Sequence, residues 1–193
     1  MVSYISSFAA AAAAAAPAFH ATSRFAFTGS RHRCFSSSVA WAVARGLRVS
    51  HPGAAVSVGC ALGVDSAVWA AFSGFGGLSV FRAAGRSRGA LAARSVLCLR
   101  SALPVFGGCC VAFPGGRCPA GVVASLRFAG WGSGTWGSVG LALGLGLRVV
   151  LFVPAPFHPA VFAGGLSSRF AVVSSGPWGA WLVAPPVFAP ALF

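Results

Sequence analysis

The chain has 193 residues, of which 57% are hydrophobic and 8% charged, and its 14 basic side chains face one acid for a net charge of +13. That length supports one folded unit with a proper core plus flanking segments, and so strong a basic excess favours phosphate-bearing ligands, nucleic acid or anionic lipid as partners. The six cysteines form no C-x-x-C pair and no regular framework, which excludes a disulfide-stapled or zinc-held domain and points to reduced thiols in the cytoplasm.

Residues 1–23 contain an alanine run without the basic lead-in of a secretory signal, and read as a low-complexity extension. From there "RFAFTG" is predicted as a strand ending in glycine. After the polar turn "SRHRCFSSS", Val39, Val43 and Leu47 recur at the spacing of a helix with one buried face, with Ser36–Ser38 as possible caps. "AAVSVG" is a second strand; Val64, Val68 and Phe72 mark a second helix, and "LSVF" a third strand. The basic loop "RAAGRSRG" leads into a helix predicted to bury Ala90, Ala93 and Leu97. "CCVAF" is a fourth strand stopped by "PGG". "GSGT" opens a helix carrying Trp136, Val139 and Leu143, and "LRVVLFV" is a fifth strand stopped by Pro154.

Strands alternating with helical periods predict an α/β chain, a Rossmann-like three-layer fold with a mainly parallel sheet of about five strands over residues 24–155. Residues 156–193, rich in Pro, Gly and aromatics, either add an edge element or wander. Three uncharged stretches near the C-terminus (128–147, 149–168 and 170–193) raise the question of a membrane polypeptide. Glycine, serine and proline break the first two, whereas a spanning helix wants about 20 predominantly apolar residues, so a membrane is disfavoured as a partner. A reading frame whose composition reflects biased codons, with no functional product, also stays open.

Every conspicuous loop in this reading follows a strand, and open α/β sheets bind ligands beyond the carboxyl ends of their strands. Glycine there lets backbone N–H groups approach an anion, and helix starts add their dipoles. The series "FTGSR", "VSVGCALGVDSAV", "AARS", "VAFPGG" and "GSGTWGSVGLALGLGLRVVLF" resembles the successive motifs of the SLOG superfamily, which groups the DNA-processing protein A (Smf) family with the lysine-decarboxylase-like LOG proteins. The resemblance covers roughly residues 25–154, in order, and suggests a small stand-alone member. It implies a pocket for a nucleotide or nucleotide-derived ligand, with no resident cofactor and no metal site.

Carried over by position, the resemblance implies that Gly29, Ser30 and Arg31 form the first phosphate-side loop and Gly59, Gly63 and Asp65 the second. Arg94 matches the arginine before the fourth strand, and Gly132, Gly134 and Thr135 the final glycine–threonine loop. Phosphoribohydrolase members carry a glutamate after that loop, where this chain has Ser138 and no glutamate anywhere. A serine hydroxyl supplies neither charge nor basicity at neutral pH, so no residue is assigned a catalytic role and hydrolysis by this family's chemistry is not expected, while an enzyme of another kind stays open behind the binding readings.

Each of these residues also has a plainer role. Arg31 is a phosphate contact or a solvated charge; Arg86 and Arg88 read better as solubilising a glycine-rich loop. Trp131 and Trp136 could stack on a base, although Trp136 belongs to the apolar face of its helix. Asp65, the single acid, is either a helix cap or an acceptor for a ribose hydroxyl. The two functional classes are a binding module or sensor for a nucleotide-derived small molecule, and a single-stranded nucleic-acid binder of the DNA-processing kind. A homo-oligomer is open in either case.

Overall fold

The computed structural model describes residues 16–31, 35–103, 107–176 and 179–185. His32, Cys34, the alanine run and the last eight residues lie outside them. Five strands form where the sequence expects them: β1 (Arg24–Gly29), β2 (Ala55–Val58), β3 (Leu78–Val80), β4 (Gly108–Phe113) and β5 (Arg148–Pro154). Between them run α1 (Phe35–Ser50), α2 (Val64–Phe72), α3 (Arg88–Arg100) and α4 (Gly134–Gly144). After β5 come a short α5 (Pro159–Ala163) and two further strands, β6 (Ala171–Gly176) and β7 (Gly179–Ala184).

The sheet has seven strands in the order β3-β2-β1-β4-β5-β7-β6, two more than expected. The first five are parallel, and β7 and β6 join antiparallel at the far side. The C-terminal segment therefore extends the sheet. Its Trp181 packs edge-on against Phe113 at 5.6 Å between ring centroids and, tilted, against Phe152 at 5.1 Å.

Alternation along the strands sorts side chains to two cores, as a period of two requires. Phe25, Phe27, Val111, Phe113 and Phe152 face α1 and α2, meeting Val39, Val43, Leu47, Val64, Val68 and Phe72. Ala26, Cys110, Ala112, Leu151 and Val153 face α3, α4 and α5, meeting Leu99, Trp136, Val139, Leu143 and Phe162. Helices on both faces make the three layers that the strand–helix alternation predicts. The core also begins before residue 24: Phe19 is buried and meets Phe25 edge-on at 5.6 Å.

Two local expectations fail. Ser36–Ser38 lie inside the first turn of α1, which starts at Phe35, rather than capping it. On α3 the buried residues are Arg94, Cys98 and Leu99, while Ala93 and Leu97 point to solvent. Alanine, leucine and arginine are spread around the helix, so apolar spacing carries little information, and an ion pair described below decides which side turns inward.

Among the described residues, no helix is long and apolar enough to cross a membrane. The uncharged stretch 128–147 is a loop followed by α4, with Thr135 to Leu143 all buried. The next stretch contains β5, α5 and a turn of 3-10 helix.

Candidate functional site

β1 and β4 are hydrogen-bonded neighbours in the centre of the sheet, with Gly29 level with Phe113. The chain leaves β1 toward α1 on one face and leaves β4 toward α4 on the other. Such a reversal opens a crevice at the carboxyl ends of the strands. A cleft of about 550 Å³ occupies that place, walled by residues from the β1 loop, the starts of α2, α3 and α4, and the β4 loop.

Of the ten residues singled out from the sequence, Gly29, Ser30, Arg31, Asp65, Arg94, Gly132, Gly134 and Thr135 line this cleft. Gly59 and Gly63 do not. They sit behind the wall and let other parts approach. A Cβ on Gly59 would collide with the Arg94 guanidinium and the Asp65 carboxylate. Gly63, at φ 77°, lies against the backbone of Ser30 and Arg31.

Both backbone groups of Ser30, the first residue after β1, are tied down. Ser30 N–H donates to the Phe113 carbonyl at 2.9 Å, and Val64 N–H donates to the Ser30 carbonyl at 3.0 Å. Gly29 packs where a side chain would strike Val64. Arg31 emerges from this rigid turn, exposed, at the mouth of the cleft. At the opposite wall Ser133 caps α4 by accepting from Trp136 N–H at 3.3 Å. The N–H groups of Gly134 and Thr135 are then helix-start donors with no partner inside the helix, at the positive end of its dipole.

Asp65 stands in the first turn of α2 and at the cleft wall, the places its two expected roles require, but it is not itself the cap. It is the second residue of α2, whose cap is Gly63 with no side-chain hydrogen bond. Its Oδ2 accepts from Ala61 N–H at 3.1 Å and from Arg94 Nη1 at 3.0 Å. Both members of this ion pair are more than nine-tenths buried. Burial pushes the Asp65 carboxyl above its usual range, while the charge of Arg94, the Ala61 and Arg94 hydrogen bonds and the charge of Arg31 pull it back. The Arg94 Nε is buried without a partner.

Behind the pair lies a cavity of only about 10 Å³, bordered by Thr28, Gly59, Cys98 and Ser138 among others. Ser138 is buried and its hydroxyl donates to the Gly134 carbonyl at 3.1 Å. It faces this inner space and does not line the open cleft. Burial, helped by the charge of Asp65, pushes the Cys98 thiol up to about 12, so no thiolate stands beside the pair at neutral pH.

Four wall residues, Arg88, Gly115, Gly116 and Phe128, lie outside the ten singled out from the sequence. Arg88 opens α3 and faces the cleft instead of merely solubilising its loop. Gly115 and Gly116, the displaced "PGG", form part of the wall beside Ser30, and the Gly116 carbonyl accepts from Trp136 Nε1 at 2.8 Å. The aromatic at the cleft is Phe128. Trp136 is a core residue and Trp131 is exposed outside the wall. No short-range signal marks Phe128; it reaches the cleft because Gly137 on α4 leaves room for its ring.

Chemically, the cleft offers three guanidinium groups against one carboxylate that is already paired. Among the described residues that line it there is no His, Cys or Glu. Among the described residues, no three His, Cys, Asp or Glu side chains gather as metal ligands. No protein-family model, curated protein or solved structure matches the chain.

Proposed function

We propose that the chain is a binding module for a nucleotide or nucleotide-derived small molecule, held in the cleft between the ends of β1 and β4. The observation that carries this reading is the convergence of Arg31, Arg88 and the start of α4 on a crevice at the strand-order reversal. Its volume suits a drug-sized ligand. The phosphate lies against Arg31 and the Gly134–Thr135 N–H groups, since a guanidinium fork and a helix start both suit phosphate oxygens. Phe128 offers a flat apolar wall for the base.

Membership in the SLOG superfamily belongs to the same proposal. Its support is that "FTGSR", "GCALGVD", "FPGG" and "GSGT" all lie at the same edge of one sheet. The five described cysteines, none of them bridged, and a nucleotide ligand suit the cytoplasm.

Titration calorimetry with nucleoside monophosphates and dinucleotides tests the reading. Arg31→Ala is expected to weaken binding by about 1–3 kcal/mol, the size of a charge-assisted hydrogen bond. Unchanged affinity in that variant would move the phosphate elsewhere. Single-strand binding, the second reading, rests on the net charge of +13. It predicts affinity for oligonucleotides that falls steeply with salt, where a single phosphate in a pocket responds weakly.

Hydrolysis of the N-glycosidic bond is not expected. The position of the hydrolase glutamate holds Ser138, buried and bonded to its own helix, and the one carboxylate at the cleft is tied to Arg94. Incubation with nucleoside monophosphates should release no free base above the uncatalysed rate. Release that disappears in Asp65→Asn while the variant stays folded would overturn this.

A further inference from the structure

Attachment to a bilayer from the aqueous side needs no spanning helix, and one surface outside the cleft is suited to it. The outward side of the α1–α2 pair exposes Trp41, Val49, Trp69 and Phe75. The Arg45 guanidinium lies 5.2 Å from the centre of the Trp41 ring, and Arg48 lies 3.8 Å from that of Phe75. Arg48 also donates to the Ala71 carbonyl at 2.9 Å, which ties the end of α1 to the end of α2. Phe75 stands in the loop 73–77, every residue of which is exposed, with glycine on either side of it.

We infer that this face docks on an anionic lipid surface. Tryptophan, phenylalanine and arginine share one depth at a bilayer interface, where rings enter the headgroup boundary and guanidinium groups meet lipid phosphates. Each arginine here is stacked on a ring, so the apolar and cationic parts arrive together. Charge complementarity is complete, because the only carboxylate side chain of the protein is buried with Arg94 at the cleft. Each basic residue near an anionic leaflet adds to the attraction.

A nucleic-acid strand fits this face less well. Single strands bind in grooves that track their backbone, and none of these six residues lines either described cavity. Val49, the most exposed of the large apolar side chains at 78%, offers nothing to a base and a methyl surface to a lipid.

The test is co-sedimentation of the full chain with vesicles of mixed phosphatidylglycerol and phosphatidylcholine, against phosphatidylcholine alone. Binding is expected to the anionic vesicles only. The triple variant Val49→Ser, Trp69→Ser, Phe75→Ser keeps every arginine, and its partition should fall by at least about tenfold because three apolar side chains no longer enter the interface. Equal partition of variant and parent would assign vesicle binding to net charge alone and overturn the inference. So would a variant that loses oligonucleotide binding while its vesicle binding is unchanged, which would give the face to nucleic acid. A reading independent of the variant's folding comes from brominated phosphatidylglycerol, which should quench tryptophan emission in a Trp131→Phe background. No quenching there overturns the inference as well.

Discussion

Asp65→Asn is expected to lower the stability of the fold by about 3–5 kcal/mol, the usual result of removing one partner from a buried ion pair. Asparagine keeps the shape of the side chain and can still accept from Ala61 N–H. It leaves the Arg94 guanidinium more than nine-tenths buried with no counter-charge. Arginine cannot escape by losing its proton, so the loss should be full at neutral pH and shrink in acid, where the parent's own Asp65, its pKa raised by burial, also becomes neutral. A helix cap would have left the melting temperature nearly unchanged, since Asn caps as well as Asp. A variant that melts with the parent would therefore return Asp65 to a capping role.

The opposite half of the pair behaves differently. In Arg94→Met the buried carboxylate remains, and it can take up a proton. Burial already holds its pKa above the unfolded value, and removing Arg94 deletes the largest influence pulling it down. For a carboxyl whose folded pKa is raised, the associated stability is present below the unfolded pKa and lost as pH rises through the folded one. Arg94→Met should thus be weakest at neutral pH and regain stability toward about pH 4, near the ordinary carboxylate value. Combining Asp65→Leu with Arg94→Met removes both charges and should recover most of the loss, because apolar replacements of a whole buried pair are often neutral or better. A double variant less stable than either single one would show that the pair does more than neutralise itself.

That pair also marks the limit of what the sequence could tell. Regular spacing announced α1, α2 and α4, because Val39–Val43–Leu47, Val64–Val68–Phe72 and Trp136–Val139–Leu143 each fill a core that rewards apolar periodicity. On α3 the inward side is chosen by an arginine whose partner lies 29 residues earlier. Local pattern cannot express such a contact, and the spacing of Ala90, Ala93 and Leu97 pointed to another side. β6 and β7 were hidden for a related reason. They lie in a Pro-, Gly- and aromatic-rich segment whose pattern left an edge element and an irregular tail equally open, and pairing with each other and with β5 settles it. At the cleft, glycine-rich loops were legible because tight turns after strands need them. The ring beside them was not, since nothing within a few residues of Phe128 distinguishes it from Trp131.

The largest single-residue effect away from the charges is expected at Gly63. Its φ of 77° with ψ of −124° is a backbone conformation that residues with a Cβ rarely occupy, and forcing one there costs about 1–3 kcal/mol. A Cβ would also press on the carbonyl of Ser30 and the backbone of Arg31. Relief requires the β1 loop to move away, which breaks the Val64 N–H bond to Ser30 worth about 1 kcal/mol. Gly63→Ala should therefore lose roughly 2–4 kcal/mol in urea unfolding. It should also weaken nucleotide binding, because Arg31 is carried by the displaced loop. Gly89→Ala is the matching control: it lies in the first turn of α3 with open space around it, and should gain about 0.5–1 kcal/mol from helix propensity. If the two variants unfold at the same urea concentration, the contact between the β1 loop and the start of α2 does not hold the cleft in shape, and Arg31 must be positioned from elsewhere.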